Sequence, residues 1–364
     1  MSRRPVTVST PGKLILMGEH AVVYGRPALV AALDLRLTAR LAPLPDGSEA
    51  VQLDLPGLSH QETTSWDDLR AYAAAVRGRW EGYALQPGTE RFRAVRGDDP
   101  AHVVKAALGE AAAWLGEGLR GLHLRLESEL PIGSGFGSSA ATATAVIAGC
   151  LVYHERVADP ALVEKLALEV ERRQHGLPSG VDGATVLYGG VLWARRLPEG
   201  GLERERIAVR SPLLSRLRVY DSGTPQEPTG AVVAAVRARR DRDPARHERI
   251  LDGIEAAVRA FRDELVRSGN GDPARIVQCV QACEEGLEEL GVVPEPVRAL
   301  VRSVEAEGGA AKISGAGSLA GPGAGSLLVY HPDPERISGW PFLQPLPFHP
   351  VHLGAEGLRL ETDA

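Results

Sequence analysis

Apolar and polar positions alternate at the start of the chain. Val6 and Val8 have polar neighbours, Leu14, Ile15 and Leu16 form a short apolar run, and the pattern resumes at Ala28-Leu-Val-Ala-Ala-Leu33. A period of two marks half-buried strands, so this opening predicts two strands around a loop, in the manner of a hairpin. From about Ser65 to Gly118 the spacing changes to three and four residues, carried by Val103, Val104, Ala107, Leu108, Ala111, Trp114 and Leu115. That spacing predicts helix, ended by Gly118 and Gly121. Leu122, Leu124 and Leu126 then alternate with His123, Arg125 and Glu127, a half-buried strand running into Pro131-Ile-Gly-Ser-Gly-Phe-Gly-Ser-Ser-Ala-Ala141. Helices are predicted from Ser138 to about His154 and from Pro160 to Gln174, the second with Leu162, Val163, Leu166 and Val170 on one face and Gly176 and Pro178 as its stop.

Gly189 and Gly190 precede a strand at Val191-Leu-Trp193, and the arginine-rich stretch from Pro198 to Pro212 reads as a hairpin edge or a crossing to a second domain. A boundary is therefore expected near residue 215, dividing the chain into 1–215 and 216–364. Beyond it the pattern predicts a short strand at Leu217 to Tyr220 and helices over Gly230 to Gly269 with a break near Pro244, Pro273 to Leu290 and Pro296 to Glu307. A glycine-rich run then leads into Leu327-Leu-Val-Tyr330. The proline-bearing end, Pro341 to Glu361, is consistent with an irregular connection and a last edge strand. No internal repeat is visible.

Composition narrows the possibilities. The chain has 364 residues, 44% of them hydrophobic, and a net charge of -6, enough for two ordinary cores and with no sign of disorder. The mildly acidic, interspersed charge gives no footprint for nucleic acid or an anionic membrane. Neither a leader-like start nor an 18-residue apolar run appears, so neither export nor membrane spanning is indicated and the cytoplasm is expected. Three cysteines, Cys150, Cys279 and Cys283, are too few for a disulfide framework and fit a reducing compartment. Cys279 and Cys283 share a helix face and read as buried thiols rather than metal ligands.

Three stretches carry candidate chemistry. Pro11 to Gly25 sets Lys13, Glu19 and His20 around an apolar run, as a site handling an anionic substrate would require. Gly133, Gly135 and Gly137 precede Ser138 and Ser139 at the mouth of a helix, where free N–H groups and the helix dipole favour a polyphosphate. The loop lacks the Lys-Ser/Thr of a Walker A motif and the spacing of a dinucleotide fingerprint, and a plain strand-to-helix turn stays open as its reading. Ser139 has a hydroxyl suited to magnesium. In the third stretch Glu171 and Asp182 stand on either side of a helix end and a Gly-Pro turn, and phosphoryl transfer needs carboxylates both for a metal ion and for the attacking hydroxyl. Taken alone, Glu171 also reads as a solvated helix residue, Asp182 as a turn former and Lys13 as a strand-edge lysine.

Together Pro11 to Gly25, Pro131 to Ala141 and Lys312-Ile-Ser-Gly-Ala-Gly317 resemble, in order, the three motifs of the GHMP kinases. The wording is nearest that of the mevalonate kinase branch in Gly18-Glu-His-Ala-Val-Val-Tyr-Gly25, in Ser128-Glu-Leu-Pro131 and in His175-Gly-Leu-Pro-Ser-Gly-Val-Asp182. The resemblance runs from Val6 to about Tyr330. It implies an α+β, two-domain GHMP kinase fold with a ribosomal protein S5 domain 2-like N-terminal domain and a ferredoxin-like C-terminal domain. In this fold the active site lies in the interdomain cleft and the last strand, near 353–361, returns to the first domain. The implied activity is ATP-dependent phosphorylation of (R)-mevalonate to (R)-5-phosphomevalonate in isoprenoid biosynthesis.

The resemblance also implies residue roles. Ser128, Gly133, Ser134, Gly135, Phe136, Gly137, Ser138 and Ser139 would hold ATP, and Ser139 and Glu171 would hold Mg²⁺. Asp182 would act as base and Lys13 would stabilise the transferring phosphoryl, while Glu19, His20 and Thr229 would line the mevalonate pocket. The resemblance further implies a tendency toward homodimers and, as in some members of the family, feedback inhibition by isoprenoid diphosphates. One departure stands out. After Gly317 the chain continues Ser-Leu-Ala-Gly-Pro-Gly-Ala-Gly325, longer than the family's glycine run and stiffened at Pro322, which leaves the acceptor open. The alternatives are a phosphomevalonate or sugar kinase of the same superfamily and a non-catalytic nucleotide-binding relative.

Overall fold

A computed structural model describes residues 4–45, 48–86, 88–131, 133–176, 178–269 and 271–361. Ile132 and Leu177, inside two of the motifs above, and the first three residues, used in the leader reading, lie outside the described set.

The first part of the chain forms β1 (Val6–Met17), β2 (Pro27–Ala42), β3 (Val51–Leu55), β4 (His60–Thr64), α1 (Trp66–Leu85), α2 (Thr89–Arg96), α3 (His102–Leu115) and β5 (Leu122–Ser128). It continues with α4 (Ser138–Tyr153), α5 (Pro160–His175), α6 (Val181–Tyr188), β6 (Val191–Arg196), β7 (Leu202–Arg206) and α7 (Leu213–Arg216). Then come β8 (Leu217–Asp221), α8 (Thr229–Arg242), α9 (Pro244–Val266), α10 (Pro273–Leu290), α11 (Glu295–Ala306), β9 (Ala310–Ser314), β10 (Ser326–Tyr330), β11 (Phe348–His349) and β12 (Arg359–Glu361).

Two sheets organise these elements. The larger runs β12-β1-β2-β5-β3-β4, with β6 attached to β2 and β7 to β6; the smaller runs β11-β8-β10-β9. β1 and β2 are the predicted opening hairpin, and their pairing slips between Pro11 and Lys13 and again between Ile15 and Met17. Such irregularities re-aim side chains locally, and Lys13 sits at the first of them. β2 is long enough to serve two partners, β6 along Pro27 to Ala31 and β5 along Leu37 to Ala42. The final strand, β12, pairs antiparallel with β1, so the chain finishes on the sheet with which it began.

The core is continuous across both sheets. Its centre is α4, buried from Ala140 to Leu151 and packed on β1, β2, α3, α5 and α6. The alanine-rich sequence of α4 permits this closeness: Gly149 lies against Leu41, where a Cβ would come within 2.5 Å of the leucine side chain. α9 and α10 pack against each other, with α10 and α11 covering β9 while α9 reaches β1 and β2. Helical periodicity foresaw α4, α5, α8, α9, α10 and α11 to within a few residues. It did not foresee α6, whose opening Val-Asp-Gly reads as a turn, nor the short strands β3 and β4. The predicted single helical region from Ser65 to Gly118 is three helices, the last closing at Gly116 rather than at Gly118.

Candidate active site

Four segments converge on one cleft: the Lys13 region of β1, the glycine loop before α4, the passage from α5 to α6, and the first turn of α8. Lys13, His20, Gly133, Gly135, Phe136, Gly137, Ser138, Ser139, Glu171, Asp182 and Thr229 all line it, so most of the residues singled out in sequence meet in space.

The loop is shaped by Gly133, Gly135 and Gly137, with φ of 85°, 78° and 73°, a left-handed conformation that side chains rarely adopt. Gly137 caps α4 without a side-chain bond, and Gly137, Ser138 and Ser139 line the cleft, so the helix N-terminus, whose first amides lack intrahelical partners, borders it. A Cβ on Gly137 would lie 2.7 Å from Lys13 Cγ, so the loop and the lysine touch because that position is glycine. The backbone N–H of Lys13 donates to Phe136 O at 2.9 Å, docking the loop on the β1 irregularity. On the other side the Ser134 hydroxyl donates to Asp221 Oδ2 at 3.1 Å and Ser134 O accepts from Ser326. Ser134 thus ties the loop to the smaller sheet and does not line the cleft.

Lys13 is buried, with Nζ 3.1 Å from Asp182 Oδ2, and is not the solvent-facing lysine of the bland sequence reading. Asp182 occupies the first turn of α6, entered through Gly180 at φ 82°. Glu171 is likewise buried rather than solvated. Burial first, and then repulsion from Asp182, push its carboxyl up to about 8, against an opposing pull from Lys13. Among the described residues its Oε1 has no hydrogen-bond partner, and Gly183 lets α6 approach it, since a Cβ there would stand 3.0 Å from that oxygen.

Ser139 Oγ lies 3.2 Å from His175 Nε2. Burial drives His175 down to about 4, so it is neutral near pH 7. Among the described residues no group of three or more His, Cys, Asp or Glu side chains could cage a metal alone. An orphaned buried carboxylate oxygen with a nearby hydroxyl suits a hard cation that takes its remaining ligands from phosphates and water, as magnesium does.

His20 has φ 57° and its Nε2 lies 2.9 Å from Ala316 O, which joins the first motif to the third; burial lowers its pKa. Besides Ser134, two more of the expected residues do not line the cleft. Glu19, expected beside His20 in the acceptor pocket, is 1% exposed and turned away, its carboxylate paired with Lys312. Ser128, expected beside the nucleotide, is exposed at the end of β5, where its Oγ accepts from Leu130 N at 3.1 Å, and it does not line the cleft. Burial pushes the Glu19 carboxyl up despite the lysine, and Cys283 Sγ lies 3.9 Å from it. Sequence reading gave no role to Lys312, His175 or Gln174. Both Lys312 and His175 stand in motifs quoted above, but nothing in their local sequence signals the partners they find in space.

The long third loop turns out to be fastened rather than loose. Leu319 N donates to Glu227 Oε2 at 3.0 Å, Ser318 donates to the same carboxylate at 2.6 Å, Ala324 N donates to Ser222 Oγ at 3.0 Å, and Gly325 N donates to Gly223 O at 2.8 Å. Only its first residues, Gly315 and Ala316, reach the cleft.

Residues 101–190 match the family model described as the GHMP kinases N terminal domain. Over 357 residues the chain is 30% identical to mevalonate kinase of Bos taurus, covering 90% of this chain and 87% of that one. Over 352 residues it is 31% identical to mevalonate kinase of Homo sapiens, covering 88% and 85%. Among solved structures, L. major mevalonate kinase in complex with R-mevalonate superposes with a TM-score of 0.66 at 22% identity over 96% of each chain.

Proposed function

The chain belongs to the mevalonate kinase family of GHMP kinases, and from that premise we propose how its cleft carries out ATP-dependent phosphorylation of mevalonate at the primary hydroxyl. The observation that carries the reading is the Lys13–Asp182 ion pair at 3.1 Å beside a glycine loop that opens a helix with no side-chain cap.

The amides at the start of α4 hold the phosphates of ATP, where the helix dipole adds roughly half a positive charge. Asp182 accepts a hydrogen bond from the acceptor hydroxyl, aligns its oxygen and takes the proton as the bond to phosphorus forms. Lys13 pairs with Asp182 and lies where negative charge builds on the transferring group. Glu171 Oε1 and Ser139 Oγ would hold Mg²⁺, which when bound neutralises charge on the phosphates. Thr229 and His20 face the acceptor from α8 and from the turn after β1. Glu19 acts behind them, through the 18–20 backbone rather than by touching substrate. The change of sheet between β7 and β8 supports a division of the chain near residue 215.

A panel of acceptors with labelled ATP tests the assignment. Mevalonate is expected to exceed phosphomevalonate, galactose and homoserine in kcat/KM by at least about 10²-fold. A preference for any of the other three overturns it.

A further inference from the structure

Beside the reaction cleft lies a larger hollow of about 800 Å³, walled by α2, the residues just after it, the end of α5 and one face of α8. Gln174, His175 and Val233 line both spaces, so the two meet along a shared wall. Three guanidinium groups line the hollow: Arg93 and Arg96 from the last turn of α2, and Arg237 from α8. Among the described residues none of the three has a carboxylate within ion-pair distance. Of the acidic groups on the same wall, Asp99 is taken by Lys105 at 2.8 Å and Asp241 by Arg240 at 2.9 Å, leaving Asp98. The hollow therefore carries uncompensated positive charge.

The reaction cleft has the opposite character. Lys13, His20 and His175 are its basic residues among those described, and each is committed. Lys13 pairs with Asp182, His20 is bound to Ala316 O with its pKa lowered, and His175 is neutral. Mevalonate presents its reacting hydroxyl at one end of a short chain and a carboxylate at the other. With the hydroxyl at Asp182, the length of the acceptor and like-charge repulsion from that aspartate both set the carboxylate at the far side of the cleft. The cationic space it can turn toward begins at the shared wall.

We propose that Arg96 and Arg237 receive the carboxylate of the acceptor where the two cavities meet, and so decide that the enzyme takes a carboxylate-bearing alcohol. The proposal rests on mevalonate being the acceptor. Arg96 stands close enough to the wall that its charge acts on both His175 and His102. Arg237 projects from α8 one turn beyond Val233, on the same side of the helix. A guanidinium fork matches a carboxylate with two parallel hydrogen bonds, which a lysine does not reproduce.

The test uses Arg96→Gln, Arg237→Gln, the double variant and Arg96→Lys, assayed with mevalonate and with its neutral carboxamide. Arg96 is exposed and Arg237 half-buried, so folding is expected to be intact and an unchanged melting temperature checks it. Each glutamine variant should raise KM for mevalonate by about 10- to 100-fold, the range for a hydrogen bond to a charged group. The KM for ATP, kcat and the KM for the carboxamide should stay put, so that the preference for the charged acceptor collapses. Arg96→Lys should recover only part of the loss. An unchanged KM for mevalonate in the double variant overturns the proposal, as does an equal rise for both acceptors. Should the unsubstituted enzyme ignore mevalonate and phosphorylate another alcohol, the acceptor assignment falls and this inference with it, an outcome visible before any arginine is changed.

Discussion

Asp182 has an ammonium on one side and Glu171 on the other, and the two carboxylates are given different work by their surroundings. Replacing Asp182 with Asn keeps the size and removes the acceptor of the proton. Turnover should fall about 10²- to 10⁴-fold with the melting point nearly unmoved, which steady-state kinetics and thermal unfolding together will read. Glu171 answers to pH instead. Its carboxyl titrates at about 8 in the folded chain against the ordinary 4.5. Between these values the folded protein keeps a proton that the unfolded chain has released, so metal-free stability should decline as pH rises across that window. Chelator-treated protein followed by urea unfolding from pH 5 to 8 should show the decline, and Glu171→Gln should abolish it. Cation binding must expel the same proton, so affinity for Mg²⁺ should grow toward pH 8. Lys13, Glu171 and Asp182 were legible in sequence because their types and order match a known chemistry. The true partner of Glu19 was not, since 293 positions separate it from Lys312 and no local pattern links them.

Elements position these groups more than any single bond does. The glycine loop reaches Lys13 because its backbone is left-handed and lacks side chains. Gly137→Ala puts a methyl group onto the Lys13 stem in a conformation that already costs about 1–3 kcal/mol for a non-glycine residue. We expect kcat/KM for ATP to drop by at least about tenfold, with the change in fluorescence on nucleotide binding weakened in parallel. This loop and its helix were visible as a strand, glycines and an apolar stretch in sequence. α6 was hidden because it is only eight residues long and opens with glycine on either side of Val-Asp, a composition that signals a turn. The third loop was read as longer than usual and stiffened at Pro322, but its anchors were not visible in sequence, because its polar atoms bond to the distant segment from Ser222 to Glu227.

At the level of the whole molecule, two sheets share a core, and a buried charge pair fastens one to the other. Lys312 on β9 of the smaller sheet and Glu19 at the turn after β1 are both without solvent exposure. Lys312→Met leaves a carboxylate alone in the interior, a loss of about 3–5 kcal/mol by denaturant unfolding, whereas adding Glu19→Gln should restore much of it. A double variant no more stable than the single one would show that the pair is not what joins the sheets. The return of the last strand to the first sheet was expected from the family resemblance, whereas its register, with Val8 opposite Leu360, is announced by no local stretch of sequence.

That pairing has a consequence for the order in which the protein is made. While a ribosome is still synthesising the chain, the outer edge of β1 has no neighbour, and it stays bare until Arg359 to Glu361, some 350 positions later, have been made. Contacts this distant form slowly, and naked strand edges invite association between nascent molecules. Expression yield should therefore respond more sharply to proline at Leu360 than its modest exposed side chain suggests, with inclusion bodies rather than lost catalysis as the first symptom.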